Sequence, residues 1–175
     1  PVLKKKINAS AFYNQSLRIN TLITGTLEKI NIPLLQLTGL DGSAINARAT
    51  LYHVTNAKKM MLDITLLSSN ISKRDIAKFV KLSPAAFAQL PAMLHLKATA
   101  VGSLNQMQTD IYLVGTQLLL DAKASLKNLN NMKLFTYDVN IRKSHFQKNL
   151  LLSFIPKEKI PTSIELPQDI ILSGT

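Results

Sequence analysis

Three histidines, ten acidic residues and no cysteine set the chemistry this chain can offer. His53, His95 and His145 lie far apart. None has a second histidine or a carboxylate three or four residues away, the spacing at which two side chains on one face share a metal ion. Asp63 and Asp138 each stand alone on the polar side of an alternating segment. General acid–base chemistry needs groups held in contrasting environments, so a hydrogen-bonding role at a strand end is expected of both. There is no Gly-rich phosphate loop and no G-x-S-x-G elbow. Without cysteine, disulfides and thiolate metal sites are excluded. Asn70-Ile71-Ser72 spells a glycosylation acceptor, a three-residue pattern of little weight. The expectation is a protein that is not an enzyme and takes no metal and no cofactor.

The formal charge of +11 raises the question of nucleic acid. The basic residues run from Lys4-Lys5-Lys6 through Lys58-Lys59, Lys73-Arg74 and Arg142-Lys143 to Lys157 and Lys159, and are not gathered on one element. No zinc-finger spacing, helix-turn-helix pair or RNP-type aromatic sheet accompanies them. They are read as a solvated polar face, with no nucleic-acid partner; attraction to an acidic surface stays open. No apolar run reaches the length of a membrane-spanning helix.

What positions these residues is a duplication. Shifting the sequence along itself by 75 positions lays residues 47–80 over 122–155 without a gap, with Ala47 on Ala122, Leu51 on Leu126, Asn56 on Asn131, Lys58 on Lys133, Asp63 on Asp138, Ser69 on Ser144 and Phe79 on Phe154. With slippage of one or two residues, Gly25-Thr26-Leu27 matches Gly102-Ser103-Leu104, and Leu90-Pro91 matches Leu166-Pro167. A period this long marks a repeat architecture, in which each unit buries its apolar face against its neighbours. Residues 1–15 are read as the trailing segment of a preceding unit, 16–101 as the first β repeat and 102–175 as a second, shortened one. The chain is thus expected to be a window from a longer repeated protein.

The copies agree on alternation. Ile45, Ala47, Ala49 and Leu51 share one face, as do Leu118, Leu120, Ala122, Ala124 and Leu126, while Arg48, Thr50, Lys123 and Ser125 take the other. After the Asn56 and Asn131 turns a second strand puts Met60, Leu62, Ile64 and Leu66 inward, answered by Phe135, Tyr137, Val139 and Ile141. Leu94 and Leu96 continue the face. Pro33 predicts an edge or a bulge, and Gly25 and Gly102 are read as strand starts of the form G-[TS]-L. Helices are predicted over 72–80, where Ser72 and Asp75 form a capping signature, and over 146–155, ended by Pro156. The fold class is all-β, mainly long antiparallel strands, with two short amphipathic helices capping a sheet end or edge.

This order of G-[TS]-L, alternating strand, Ala-x-Ala-x-Leu strand, Asp-Ile or Asp-Val strand, short helix and Leu-Pro strand resembles the repeats of the TamB and AsmA-like family over residues 16–175. The resemblance implies a curved open sheet, a β-taco, whose concave side is an apolar groove. It implies the periplasmic part of an inner-membrane-anchored envelope protein that moves phospholipid between membranes or assists outer-membrane protein assembly. The partners implied are phospholipid acyl chains or nascent outer-membrane β-strands and, through regions outside this window, an Omp85-type outer-membrane barrel. The groove lining is expected from Ile45, Leu51, Met60, Leu62, Ile64, Leu66, Leu94, Leu96, Leu118, Leu120, Leu126, Phe135, Tyr137, Val139 and Ile141. The competing expectation is a rigid β-repeat spacer or adhesion module with a closed core and a basic outer face.

Overall fold

The computed structural model describes residues 16–155 and 166–174. Nine strands, β1 (Arg18–Gly25), β2 (Lys29–Thr38), β3 (Ile45–Tyr52), β4 (Met61–Ser72), β5 (Met93–Gly102), β6 (Gln106–Gly115), β7 (Leu118–Lys127), β8 (Thr136–Gln147) and β9 (Asp169–Ile170), lie in one sheet in sequence order. Every neighbouring pair is antiparallel. The sheet is curved and open, with β1 and β9 its outermost strands among the described residues. The all-β class read from alternation is therefore the observed one, and both copies of the duplication share the same sheet.

The repeat is kept to the residue. Strand β4 and helix α1 (Lys73–Phe79) are reproduced 75 positions later by β8 and α3 (Lys148–Phe154). A register shift after Leu66 in β4 recurs after Ile141 in β8. The extra residue brings Ser69 and Ser144 onto the apolar side, where both are buried. Each hydroxyl stands in for a lost ladder bond. Ser69 Oγ accepts from the Asn46 amide at 3.0 Å and donates to its carbonyl at 3.2 Å. Ser144 Oγ does the same with Leu172, at 3.0 and 2.9 Å. Pro33 sits in a further irregularity of β2, between Ile32 and Leu35, as a residue without an amide hydrogen must.

Three expectations are corrected. G-[TS]-L does not start a strand: Gly25 and Gly102 end β1 and β5, and the following residues make two matching hairpin turns closed by Thr26–Lys29 and Ser103–Gln106 bond pairs of 2.9–3.1 Å. At φ of +115° and +136° a Cβ would collide with the carbonyl oxygen of Lys29 or Gln106, so only glycine closes these turns. The second-copy helix begins at Lys148 and not at residue 146, because β8 runs on to Gln147; Pro156 lies outside the described residues, as do residues 1–15. A third helix, α2 (Pro84–Gln89), follows α1. Its signal was in the sequence: Ser83 caps it by accepting from the Ala86 amide at 3.1 Å, and Pro84 occupies the first turn, where no amide bond is lost.

The helices gather at one margin of the sheet, the end where β4 leads into β5 and β6 into β7. Leu90, Leu94, Leu118 and Leu150 form a buried cluster there, flanked by Ile76, Leu82, Leu113 and Phe146. Burying each of these leucines stabilises the fold by about 2 kcal/mol. The opposite margin carries the four turns β1–β2, β3–β4, β5–β6 and β7–β8 and, among the described residues, no helix.

Replacing Gly25 or Gly102 by Val should destabilise the protein by at least about 2 kcal/mol through the forced positive φ and the collision with a backbone oxygen. Urea unfolding followed by circular dichroism checks this, and an effect below about 0.5 kcal/mol would contradict the turn geometry.

Candidate functional site

Cross-strand partners in an antiparallel sheet point to the same side, so the register shows which residues share a face. Leu37 opposes Ile45, Ile32 opposes Ala49 and Ile30 opposes Leu51. Leu51 opposes Leu62, Ala49 opposes Ile64 and Ala47 opposes Leu66. Ala98 carries the row to Ile111, and Leu96 carries it to Leu113. Ala122, Leu120 and Leu126 follow on β7, then Ile141, Val139 and Tyr137 on β8. One side of the sheet is thus apolar from β2 to β8.

The fifteen residues named from sequence fall into four groups. Ile45, Leu51, Leu62, Ile64, Leu66, Leu96, Leu120, Leu126, Val139 and Ile141 are half-buried on the strands. Tyr137 shares their row but is 70% exposed, its ring 5.9 Å from that of Phe135. Leu94 and Leu118 are not accessible lining: they are 5% and 7% exposed, locked in the cluster beneath the helices. Met60 and Phe135 precede their strands, in the β3–β4 and β7–β8 loops. Small Ala side chains, at 47, 49, 98, 100, 122 and 124, keep the middle of the face shallow. Toward the turns no helix of the described chain lies over it, although Ala47, Ala122 and, at the turn end of β6, Met107 are buried.

The other face is polar, and part of its charge is paired. Arg142, on the β8 irregularity, bridges Asp110 of β6 at 2.6 and 2.9 Å and Asp121 of β7. The guanidinium beside Asp110 holds its carboxyl below the usual carboxylate range, against a smaller opposing effect of burial, and the two carboxylates raise the guanidinium in turn. Hollows of about 400 and 440 Å³ open on this side, the first lined by Asn31, Pro33, Arg48, Ala49, Thr50, Asp63 and Thr65, the second by Thr65, Leu66, Leu67, Ser68, Lys97, Ala98, Thr99, Asp110 and Tyr112. Both are shallow depressions between strands and neither contains a set of groups aimed at a common point.

The histidines are not isolated, as the linear spacing suggested. His53 Nδ1 is 2.6 Å from Glu28, His95 Nδ1 is 2.7 Å from Asn70 and His145 Nε2 is 2.7 Å from Asp169. Each pair joins neighbouring strands or turns, a proximity that linear spacing does not contain. Among the described residues no three His, Asp or Glu side chains converge on a metal position. Asp63 and Asp138 are exposed on the polar face, and among the described residues no side-chain hydrogen bond to either is seen, contrary to the expected strand-end role.

The most demanding polar site is one the sequence showed only in part. Ser72 caps α1 by accepting from the Asp75 amide at 3.1 Å, as its spacing indicated. The Asp75 carboxylate, 2% exposed, turns instead to the β2–β3 turn. It accepts from Ser43 Oγ at 2.6 Å, Ser72 Oγ at 2.8 Å, Lys78 Nζ at 3.0 Å and the amides of Asp41 and Ser43 at 3.1 and 3.2 Å. Burial pushes this carboxyl up, but the bonds from Ser43, Lys78, Ser72 and Asp41 together outweigh it and hold the group below its ordinary value. Asp75 has no repeat counterpart, since Leu150 stands at its place in α3. It pins α1 to the GLDGS turn, a structural role.

Comparison with family models, with curated proteins and with solved structures returns no match to this chain.

A carboxyl whose folded pKa lies below its unfolded value of about 3.9 adds stability that is complete above that value and is lost as pH falls through the folded one. Asp75→Asn should therefore lower stability by about 2–3 kcal/mol at neutral pH and flatten the loss of stability below about pH 4. Denaturant titrations from pH 7 to pH 2 measure both; an unchanged acid limb would contradict the assignment.

Proposed function

We propose that this chain is a non-enzymatic segment of a lipid-carrying groove, with acyl chains lying on the apolar sheet face and head groups in water beyond its turn margin. The observation that supports the reading is the continuous apolar row from Ile30 of β2 to Tyr137 of β8, which the helices cover at one margin and leave uncovered at the other. Seven strands, β2 to β8, at about 4.8 Å spacing extend this surface over roughly 30 Å. Each methylene transferred from water to it contributes about 0.8 kcal/mol. Small Ala side chains leave room for a chain to lie flat, where a sandwich would fill the space with a second sheet.

The resemblance to TamB and AsmA-like repeats supports the same reading and proposes its setting: the periplasmic part of an envelope protein, carrying phospholipid between membranes or assisting outer-membrane assembly. No described helix is long and apolar enough to cross a membrane. A second cargo, a nascent outer-membrane strand, is favoured by β1, an edge strand whose eight residues are all exposed and which could accept strand addition.

Solvent extraction of the purified protein followed by mass spectrometry should find co-purified phospholipid. Leu62→Asp should reduce that lipid at least fivefold while the melting temperature stays within a few degrees, whereas Leu94→Asp, in the packed cluster, should prevent folding. If no lipid is found, or if Leu62→Asp also unfolds the protein, the groove gives way to a closed-core spacer.

A further inference from the structure

The turn margin carries exposed apolar side chains and lysines on preformed turns. At each repeat a tight hairpin turn and a longer loop are bonded together into one tip. In the first copy the His53 and Val54 amides donate to the carbonyls of Glu28 and Leu27 at 2.9 and 3.2 Å; in the second the Asn128 and Leu129 amides donate to Asn105 and Leu104 at 3.0 and 2.8 Å. His53 and Asn128, 75 positions apart, both take positive φ, +52° and +57°, to turn the chain into the loop. Asn56 and Asn131 then accept from the amides of Lys58 and Lys133 at 3.1 and 3.2 Å, fixing the same Asx turn twice. The tips are preformed and project from the same margin, four strands apart, or about 19 Å.

What these rigid turns present is apolar side chains among lysines. Leu27 is 63% exposed, Met132 78% and Leu134 60%. Lys58, Lys59 and Lys133 are exposed on the same turns, and among the described residues none forms an ion pair. The one carboxylate on the tips, Glu28, is engaged by His53. Immediately behind the tips begins the apolar face, with Leu51 opposing Leu62 and Leu126 opposing Tyr137.

We infer that this margin docks on an anionic lipid surface, inserting Leu27, Met132 and Leu134 to the acyl boundary with Lys58, Lys59 and Lys133 at the head groups. Apolar residues on a protruding tip have no concave partner pocket to fill, and flexible Met and Leu side chains suit a fluid apolar phase. The lysines supply the attraction to negative head groups. An acidic protein or a nucleic acid would satisfy the lysines but leave those apolar side chains in water. The inference deepens the groove reading by naming where lipid would enter, and it can fail separately from it.

The test is co-sedimentation of the whole chain with vesicles of phosphatidylcholine alone and of phosphatidylcholine with one-third phosphatidylglycerol. Binding should be confined to the anionic vesicles. Each lysine near the surface contributes roughly a factor of five, so Lys58→Gln, Lys59→Gln and Lys133→Gln combined should weaken binding by one to two orders of magnitude. Met132→Glu with Leu134→Glu should abolish it even at low salt, with melting unchanged because both sites are exposed. Removing the same number of charges from the polar face, by Arg48→Gln, Lys97→Gln and Lys143→Gln, should change binding less than threefold. Equal loss in this control, binding of the tip variants at the level of the unaltered protein, or no preference for anionic vesicles would each overturn the inference. Co-purified lipid is read separately: if it is found in the unaltered protein and vesicle binding is absent, docking alone fails. If vesicle binding is present and no lipid co-purifies, docking stands and the groove fails.

Discussion

The structure rests on one imbalance: a nine-stranded sheet with one apolar face, and helices enough to cover only one margin of it. In a sandwich the apolar sides of two sheets close on each other about 10 Å apart. Here the described strands all belong to a single layer, and closure comes only from α1, α2 and α3 over Leu94 and Leu118. Cohesion across the sheet is then left to ladder bonds, to the packed cluster and to pairs across the polar face such as Arg142 with Asp110 and Asp121. The remaining apolar surface, from Leu51 to Val139, has no helix over it among the described residues.

Repetition explains how so open a sheet is specified. Because the pleat has a period of two, a slip of one residue would turn the apolar row outward. The glycine-closed turns after Gly25 and Gly102, the left-handed His53 and Asn128, and the register shifts that bring Ser69 and Ser144 inward all fix register at matching places in the two copies. The copies differ at the residue that faces the sheet from the first turn of the helix. Asp75 ties α1 to the β2–β3 turn, while α3 keeps Leu150 at that place and buries it in the cluster.

Much of this was legible in the sequence, and the reasons are physical. Alternation in 45–51 and 118–126 is a direct imprint of a half-buried strand, and the 75-residue shift let two noisy patterns check each other. The Ser72 cap and the Pro33 irregularity follow from local backbone chemistry. What was not legible depended on proximity across strands. The histidine–carboxylate pairs, the donors to Asp75 from Asp41 and Ser43 and the Arg142 bridge join residues 21 to 34 positions apart, which no local spacing encodes. Leu94 and Leu118 were read as open lining because their alternation is the same as that of Leu96 and Leu120; only the placement of the helices separates a covered leucine from an uncovered one. Helix α2 was missed although Ser83-Pro84 announced it, because a six-residue helix shows too little periodicity.

The central claim is that the apolar face is accessible in the folded protein. The chain has no native cysteine, so a single thiol reports on its own position. Ile64→Cys and Val139→Cys, both on the uncovered part of the face, should react with a small maleimide under native conditions at rates within about tenfold of an exposed thiol at Lys97→Cys, and Leu118→Cys, beneath the helices, should react only on unfolding. Protection of Ile64→Cys and Val139→Cys to the level of Leu118→Cys in delipidated protein would show a sealed core and contradict the account.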